Sequence, residues 1–544
     1  MTESFEFPTD DAKQAKLLIP KEYDPYQSSA SPRKCYFKFD AERQALVLMA
    51  DDSDDLLDVL DPEDIIGASV EVNLLSGDSK SHATKSSKTN VDSETTNSLR
   101  ATSPDHDQNA PKSNILSDTQ AAATLKIFMY PRKDPSRDSI VVSCMGKHQK
   151  TAPVKDFPNK DATSKLLHRY PCHRSFAVAP AEDLLHISTL VKAIRKLARP
   201  SSPESERLLV MVNPFAGRKK GMEIYKNVVV PMLDQAGIEH DSVITTRAGQ
   251  AEELMAPKTD KSDEMDDVSK YDGLVAIGGD GSIHEILQGI KKRPDCFALL
   301  KKLKLGHIGA GTSNGLSASL AHASQEKFTA TDYSFLVAKG KTVPMDLSRY
   351  ETRSSNYLSF LTFSWSLIAD IDIESEVIRW MGWLRMEVYS AWRVLNLRSY
   401  RAKLSYLPPT AQKLTELPPL SKPLEADDGW VTMEDGFCLF WVSQVTHAGE
   451  TMLNHPMCKP SDGVFQIFLV RNKVSRLRML LILLGFETGS HVNMHGVEFI
   501  ECTAYRLEPI SPGSFNDLDG EVIESGPVQG LVLPAATQAY CKSF

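Results

Sequence analysis

The chain has 544 residues, of which 24% are charged, and a formal net charge of −9. This length is too great for one ordinary core and predicts roughly two to four domains. The mildly acidic balance argues against a dedicated nucleic-acid binder, and the eight cysteines, scattered without C-x-x-C pairs, predict neither a zinc site nor a disulfide framework but a reducing, intracellular compartment.

The first 206 residues predict a small β module, a helix and a linker. Strand-like segments lie within residues 30–175, and residues 76–114 contain so few large apolar side chains that we expect a disordered insertion there. Residues 176–206 contain apolar side chains at helical spacing and then a polar linker. The acidic N-terminus predicts no secretory signal.

Residues 207–345 alternate between strand-like and helix-like segments. This alternation predicts an open α/β nucleotide-binding domain with a parallel sheet, whose ligand binds at the carboxyl ends of the strands.

The most informative segment of this domain is LVAIGGDGSIHE, from Leu274 to Glu285. A strand, a glycine turn and a helix start in that order offer backbone N–H groups to a phosphate. Asp280 in the turn would repel a bare phosphate, so it either holds a Mg²⁺ that bridges phosphates or accepts a proton from an attacking hydroxyl. Both alternatives predict phosphoryl transfer.

Two further turns follow strands of the same predicted sheet. Asn213-Pro214 and Gly217 precede basic residues and suit a nucleotide phosphate, although a capped turn with a solvated basic face explains them equally well. The ordinary P-loop pattern is absent from the sequence. Gly309–Gly315 form a second turn rich in hydroxyl and amide groups, and two such turns in one sheet favour a shared nucleotide site.

Residues 346–540 are rich in strand-like segments and predict an antiparallel β-sandwich. One helix is expected from Asp372 to about Leu397, with Asp372, Glu376 and Arg379 on one face. Composition alone favours a solvated salt-bridge face there. Asp519-Gly520-Glu521 alone would be an ordinary acidic hairpin.

Together the motifs VNPFAGRKKG, AIGGDGSIHEILQG, GAGTSNGLSASL, ADIDIESEVIRWMGWLR and DGE point to one family. Their spacing resembles that of the sphingosine kinases, or sphingoid long-chain base kinases, of the diacylglycerol-kinase superfamily. The resemblance covers roughly residues 205–540, and the N-terminal β module is similar to the extension of fungal and plant-type members. It implies ATP- and Mg²⁺-dependent phosphorylation of the primary hydroxyl of sphingosine, dihydrosphingosine or phytosphingosine to the 1-phosphate.

The resemblance also implies roles for individual residues. Asp280 matches the general base, and Asp372 with Glu376 matches the site that recognises the sphingoid head group. The positions that match the nucleotide and phosphate contacts are Asn213, Pro214, Phe215, Thr245, Gly278, Gly279, Gly281, Glu285, Thr312, Arg379, Arg385, Asp519, Gly520 and Glu521. Mg²⁺ coordination by Asp280 or Asp519 stays open.

The lipid substrate implies further expectations. Its alkyl chain needs a long apolar pocket, expected in the second domain. The basic and aromatic segment 385–407 is expected to form a lid on an anionic membrane, together with Arg218 and Lys220. We expect a cytoplasmic protein that associates peripherally with the endoplasmic reticulum, Golgi, vacuole or plasma membrane, and no nucleic-acid partner. Prenylation of Cys541 is disfavoured because Lys542 and Ser543 occupy normally aliphatic positions.

Three alternatives compete with this interpretation. A ceramide or diacylglycerol kinase would share the first domain, but its substrate has no ammonium group and leaves Asp372 less needed. A catalytically silent lipid-binding regulator is disfavoured by the intact Asp280, glycine turns and arginines. An NAD kinase leaves the apolar second domain unexplained.

Overall fold

The computed structural model describes residues 17–18, 34–40, 45–50, 56–72, 123–133, 168–178, 184–200, 202–203, 206–217, 219–257, 268–424 and 428–542. The insertion predicted at residues 76–114 and the basic residue Arg218 lie outside this range.

The N-terminal module is an antiparallel sheet of seven strands in the order β4-β3-β2-β1-β9-β6-β5, beside a separate pair, β7-β8. The strands are β1 (Leu17–Leu18), β2 (Lys34–Asp40), β3 (Ala45–Ala50), β4 (Leu56–Leu60), β5 (Ile65–Val72), β6 (Ala123–Met129), β7 (Arg132–Lys133), β8 (His168–Arg169) and β9 (Cys172–Val178). Helix α1 (Leu184–Ala198) packs Ile187 and Ile194 against Leu48 and Leu125 of the sheet. The predicted β module is confirmed.

This module packs tightly against the next domain. The buried Arg169 donates to both carboxylate oxygens of the buried Glu326, at 3.0 and 2.8 Å. At Gly67 a Cβ would lie 1.9 Å from the carbonyl oxygen of Gln235, so only glycine permits this approach of the two backbones. The module is therefore fixed to the domain that follows.

The second unit is an α/β domain with parallel strands in the order β11-β10-β12-β13. Its strands are β10 (Arg207–Val212), β11 (Glu239–Ile244), β12 (Gly273–Gly278) and β13 (Lys304–Gly309). Its helices are α2 (Gly221–Ile224), α3 (Val230–Ala236), α4 (Gln250–Met255), α5 (Asp280–Lys291), α6 (Cys296–Lys302), α7 (Gly315–Ala323) and α8 (Ala330–Lys339), with a π-helical turn at Tyr225–Val229. The open α/β prediction is confirmed, and α5 and α7 begin at the carboxyl ends of neighbouring strands.

The third unit is the predicted antiparallel β-sandwich domain. Its strands are β14 (Thr342–Glu351), β15 (Asn356–Ser359), β16 (Thr362–Ser366), β17 (Tyr400–Leu407), β18 (Val431–Ser443), β19 (Phe465–Arg471), β20 (Val497–Cys502), β21 (Ala504–Pro509), β22 (Asn516–Leu518), β23 (Glu521–Ile523) and β24 (Val528–Tyr540). Residues of β18 alternate between two cores. Phe440 and Val442 pack into an aromatic core, whereas Leu439 and Trp441 pack under helices α9 (Leu367–Glu374) and α11 (Arg476–Leu484).

Strand β24 joins the two larger domains. It pairs antiparallel with β14 and β21, and its last residues pair parallel with β13, at Lys304 with Gln538 and Leu305 with Ala539. The parallel sheet is thus continued by the last strand of the sandwich.

The prediction of one helix from Asp372 to about Leu397 is wrong. Helix α9 ends at Glu374, a 3₁₀ segment covers Ser375–Leu384, and α10 covers Arg385–Leu395. Ile378 has non-helical backbone angles and Gly382 has a φ of +61°, so the helical path is broken at both positions. Asp372, Glu376 and Arg379 therefore do not share one helical face.

Within the described residues, no helix is both long enough and apolar enough to cross a bilayer. Cys541 is buried, and its Sγ lies 3.1 Å from the Ser324 hydroxyl oxygen.

Candidate active site

Asp280 is the first residue of α5 and is largely buried. Its Oδ2 accepts the N–H of Gly315 at 2.8 Å, and its Oδ1 accepts the N–H of Leu316 at 3.1 Å. Both N–H groups belong to the first turn of α7. Asp280 therefore links the starts of two helices that follow adjacent strands.

The two glycine turns meet at the same place. A Cβ at Gly311 would lie 2.5 Å from the Cα of Gly279, and a Cβ at Gly278 would lie 2.3 Å from the Ser282 Oγ. The Asn314 side chain, from a left-handed backbone position, accepts the N–H of Gly311 at 2.8 Å. The result is a cradle lined by backbone at the glycines, which fits the phosphates of a nucleotide.

Most of the other predicted nucleotide residues follow the carboxyl ends of β10, β11 and β13. Asn213 accepts the N–H of Phe215 at 3.0 Å, and Phe215 and Thr312 are exposed. Thr245 donates to the carbonyl of Val212 at 3.3 Å. Glu285 is used differently, because its carboxylate accepts the N–H groups of Gly249 and Ala251 and so caps α4.

Asp519 approaches the cradle from the sandwich domain. Its Oδ1 accepts the Ser359 hydroxyl and the N–H groups of Leu361 and Thr362, at 2.7 to 3.2 Å. Its Oδ2 lies 3.0 Å from Nδ1 of His284. Asp519 and Gly520 have φ values of +56° and +85°, and this sharp turn brings Glu521 Oε1 within 3.2 Å of the position of a Cβ at Gly281.

Asp372 is a partly buried carboxylate on α9, and no described residue hydrogen-bonds to its side chain. Burial raises its pKa to about 6; Arg385 opposes the rise, whereas Glu376 and Glu521 add to it. A carboxylate in this state favours the arrival of a cation.

Among the described residues, the two predicted phosphate-binding arginines form no ion pair with α5 or α7. Arg379 and Arg385 both pair with Glu376, and the Arg379 side chain is 80% exposed. Glu376 therefore lies with the two arginines, and the charges of Glu376 and Arg385 both act on Asp372.

Sequence reasoning missed three residues. His284 stands one helical turn after Asp280, and the i, i+4 spacing on α5 was a signal for it. Asp517 accepts a hydrogen bond from the Ser364 hydroxyl at 2.7 Å. Burial raises the pKa of Asp517 well above its usual range, and the negative charge of Asp372 raises it further. His307, on β13, lies behind Asp280 at 3.7 Å, and no local pattern indicates this contact.

The two carboxylates considered for Mg²⁺ do not fit that role. Oδ1 of Asp519 already accepts three donors, and Asp280 lies at the positive end of α7, which repels a dication. Among the described residues there is no cluster of three side chains suited to hold a metal.

Two family models match the chain. Residues 207–350 match the diacylglycerol kinase catalytic domain, and residues 386–541 match the YegS C-terminal NAD kinase beta sandwich-like domain.

The chain is also similar to characterised proteins. Sphingosine kinase 1 of Homo sapiens is 33% identical over 356 residues, which cover 61% of this chain and 90% of that protein. Sphingosine kinase 2 of Arabidopsis thaliana is 31% identical over 345 residues, which cover 59% of this chain and 70% of that protein. A crystal structure of a diacylglycerol kinase from Bacillus anthracis str. Sterne superposes with a TM-score of 0.43 at 17% identity, covering 63% of this chain and 98% of that one.

Proposed function

The chain belongs to the sphingosine kinase family, and we propose on that basis that it transfers the γ-phosphoryl group of ATP to the primary hydroxyl of a sphingoid long-chain base. The products are the base 1-phosphate and ADP. The chain is thus a lipid kinase, as its diacylglycerol kinase catalytic domain also indicates.

The observation that carries the choice of substrate is the state of Asp372. A partly buried carboxylate without a hydrogen-bonding side-chain or backbone partner among the described residues is costly unless a ligand pairs with it. A sphingoid base brings an ammonium group next to its primary hydroxyl, and this ammonium is the matching partner. Ceramide and diacylglycerol carry no such cation.

The proposed chemistry begins at Asp280. Its carboxylate takes the proton of the lipid hydroxyl, whose oxygen attacks the γ-phosphorus of ATP as the bond to ADP breaks. The glycine cradle holds the nucleotide phosphates by backbone N–H groups. Arg379 and Arg385 exchange their contact with Glu376 for the transferred phosphate and spread its charge. Mg²⁺ is expected to arrive with the nucleotide phosphates.

The apolar tail of the base is assigned to the core between β18, β19 and the helices α9 and α11. Side chains of this core include Leu367, Ile371, Leu439, Phe468, Met479 and Phe486. Each buried methylene contributes about 0.8 kcal/mol, so an apolar environment of this kind supplies much of the affinity. Displacement of α11 or α10 would admit the tail.

The same helices expose a surface suited to a membrane. Several large apolar side chains in this region are exposed. In the 3₁₀ segment and α10 they include Val377, Trp380, Trp392 and Leu395, and in α11 they are Leu477, Leu480, Leu481 and Leu484. Exposed Arg476 and Arg478 provide the positive charge that attracts anionic lipid. We assign this surface to peripheral contact with an anionic membrane, where the substrate resides.

A substrate panel tests the proposed activity. Purified full-length protein is incubated with Mg-ATP and sphingosine, dihydrosphingosine, phytosphingosine, ceramide or diacylglycerol, and with EDTA in a parallel arm. We expect phosphate on at least one sphingoid base, none on ceramide or diacylglycerol, and loss of activity with EDTA. Phosphorylation of ceramide or diacylglycerol instead of a base contradicts the assignment, and no transfer to any lipid supports the silent regulator.

Vesicle binding tests the membrane surface. Replacing Trp380 and Trp392 by Ala is expected to weaken sedimentation with phosphatidylserine vesicles about tenfold, since large apolar side chains are withdrawn from the lipid interface. Phe297→Ala is the control, because Phe297 is an exposed apolar residue on α6 of the α/β domain. Equal binding of all variants overturns this assignment.

A further inference from the structure

We propose that His307 is a positioning residue for Asp280: its Nδ1 accepts a hydrogen bond from the Asp280 carboxyl once that carboxyl has taken the substrate proton. This inference rests on the proposed function, because it assumes that Asp280 is the general base. It assigns a role to a histidine outside the motifs that identify the family.

The tautomer of His307 follows from its contact with β12. Nε2 lies 3.2 Å from the carbonyl oxygen of Gly278, and a carbonyl oxygen only accepts hydrogen bonds. Nε2 therefore carries the hydrogen, and in the neutral ring Nδ1 has a lone pair. Burial lowers the pKa of His307, which keeps the ring neutral.

The lone pair on Nδ1 faces the general base. Nδ1 lies 3.7 Å from Oδ1 of Asp280, is buried, and has no hydrogen-bond partner among the described residues. A lone pair and a carboxylate oxygen cannot bond to each other without a proton between them. One proton on Oδ1 converts this contact into an O–H donor facing a nitrogen acceptor.

His307 thereby opposes the other contacts of Asp280. The N–H groups of Gly315 and Leu316 hydrogen-bond to the charged carboxylate and so favour that form. The His307 lone pair favours the protonated carboxyl. Among the described residues, Tyr333 on α8 also interacts with the charge of Asp280 and is hydrogen-bonded to Glu450. His284, one helical turn further along α5, is paired with Asp519.

The proton balance is complete without a further reagent. The O–H bond of the lipid breaks and its proton goes to Asp280, while the lipid oxygen bonds to the γ-phosphorus and ADP leaves. The proton then stays on Oδ1 of Asp280, facing Nδ1 of His307, and passes to solvent after product release.

Two substitutions separate the acceptor role from a structural role. In His307→Asn the amide oxygen replaces Nδ1 as an acceptor, but the side chain is too short to contact Gly278. In His307→Gln the amide N–H replaces the Nε2–H group and keeps the hydrogen bond to the Gly278 carbonyl, but no hydrogen-bond acceptor faces Asp280. The experiment measures kcat and kcat/KM for a sphingoid base across the pH range, with thermal unfolding of each variant.

We expect His307→Gln to lower kcat at neutral pH about tenfold and to move the acidic limb of the kcat profile down by about one pH unit, since the protonated Asp280 carboxyl loses the acceptor that faces it. We expect His307→Asn to keep the wild-type limb even if it unfolds at a lower temperature. The reverse order, with a normal limb in the Gln variant and a loss in the Asn variant, overturns the proposal.

A measurement on unaltered His307 keeps the proposal falsifiable if both variants unfold. In protein labelled with ¹⁵N-histidine, Asp280→Asn places an amide N–H donor beside Nδ1, and we expect the Nδ1 resonance of one neutral histidine to shift. If no Nδ1 resonance responds, the proposal fails. Failure of the proposed function can be distinguished from failure of the His307 proposal, because in the first case the unaltered protein phosphorylates no sphingoid base.

Discussion

His284 and Asp519 meet across the boundary between the α/β domain and the sandwich, with Nδ1 of the imidazole 3.0 Å from Oδ2 of the carboxylate. Burial alone would lower the pKa of His284, but the hydrogen bond and charge of Asp519 raise it overall. The contact fixes the β22–β23 turn against His284, which lies one helical turn after Asp280 on α5. The raised pKa favours the positively charged form of His284 near the glycine cradle.

Replacing Asp519 by Asn is expected to destabilise the protein by about 1–3 kcal/mol in acid, because the bond to a charged imidazole is lost. The folded pKa of His284 is above its unfolded value, so this stabilisation is full below the unfolded pKa and disappears as pH rises through the folded one. Thermal unfolding at several pH values checks this. A destabilisation that grows with pH would contradict it.

Replacing Asp280 by Asn is expected to reduce kcat about 10²- to 10⁴-fold, because the amide cannot take a proton from the lipid hydroxyl. Single-turnover assays with a sphingoid base and Mg-ATP measure the loss. The exposed residue Asp234, on α3, provides the matched control Asp234→Asn, which should leave turnover unchanged. Intact turnover in Asp280→Asn removes the base assignment.

Asp370 and Asp372 are two residues apart but have different roles. Asp370 is buried, pairs with the buried Arg393 and accepts the Tyr400 hydroxyl, so Asp370→Asn should cost about 3–5 kcal/mol of stability. Asp372→Asn should instead stabilise the protein by about 1–2 kcal/mol at neutral pH, because a carboxylate that burial disfavours is removed. Urea unfolding of both variants decides this, and equal losses would count against it.

Catalysis should depend on pH through Asp372. Its pKa of about 6 means that the carboxylate becomes neutral as pH falls through that value and then no longer holds an ammonium. We expect kcat/KM for the sphingoid base to fall about tenfold per pH unit below 6, while the KM for ATP changes little. In Asp372→Asn, whose residual activity is low, the acidic limb of the kcat/KM profile should flatten. If this limb is unchanged in the variant, a group other than Asp372 is responsible for it.

The N-terminal module should contribute to the stability of the catalytic domain. Arg169→Met leaves Glu326 buried with fewer partners and should cost about 3–5 kcal/mol. The control is Lys341→Met, which removes the exposed pair with Glu63 at a cost of under about 1 kcal/mol. Similar unfolding temperatures for the two variants would show that the module is only loosely attached.

Local patterns were sufficient to predict the domain classes and the glycine turns at the carboxyl ends of the strands. The segment around Gly278 to Asp280 combines an apolar strand, glycines and a helix start, and each signal is contained within a dozen residues. The approach of the two glycine turns follows from the parallel sheet, because parallel strands bring their carboxyl ends to one edge of the sheet.

Contacts between distant segments could not be predicted in this way. His284 and Asp519 are separated by 235 residues, and the contact of His307 with Asp280 depends on how two strands align. The break in the helix after Glu374 was missed because apolar and charged residues continue at helical spacing through Gly382. Periodicity reports which residues are apolar, not where the backbone turns.

Strand β24 has a consequence for the synthesis of the protein. Because Gln538 and Ala539 complete the hydrogen bonding beside β13, this edge of the parallel sheet stays open during synthesis until β24, far downstream of β13, has been made. The residues of the glycine cradle are therefore synthesised long before β24 covers the β13 edge of the sheet. The sheet that carries the cradle is therefore complete only when β24 docks.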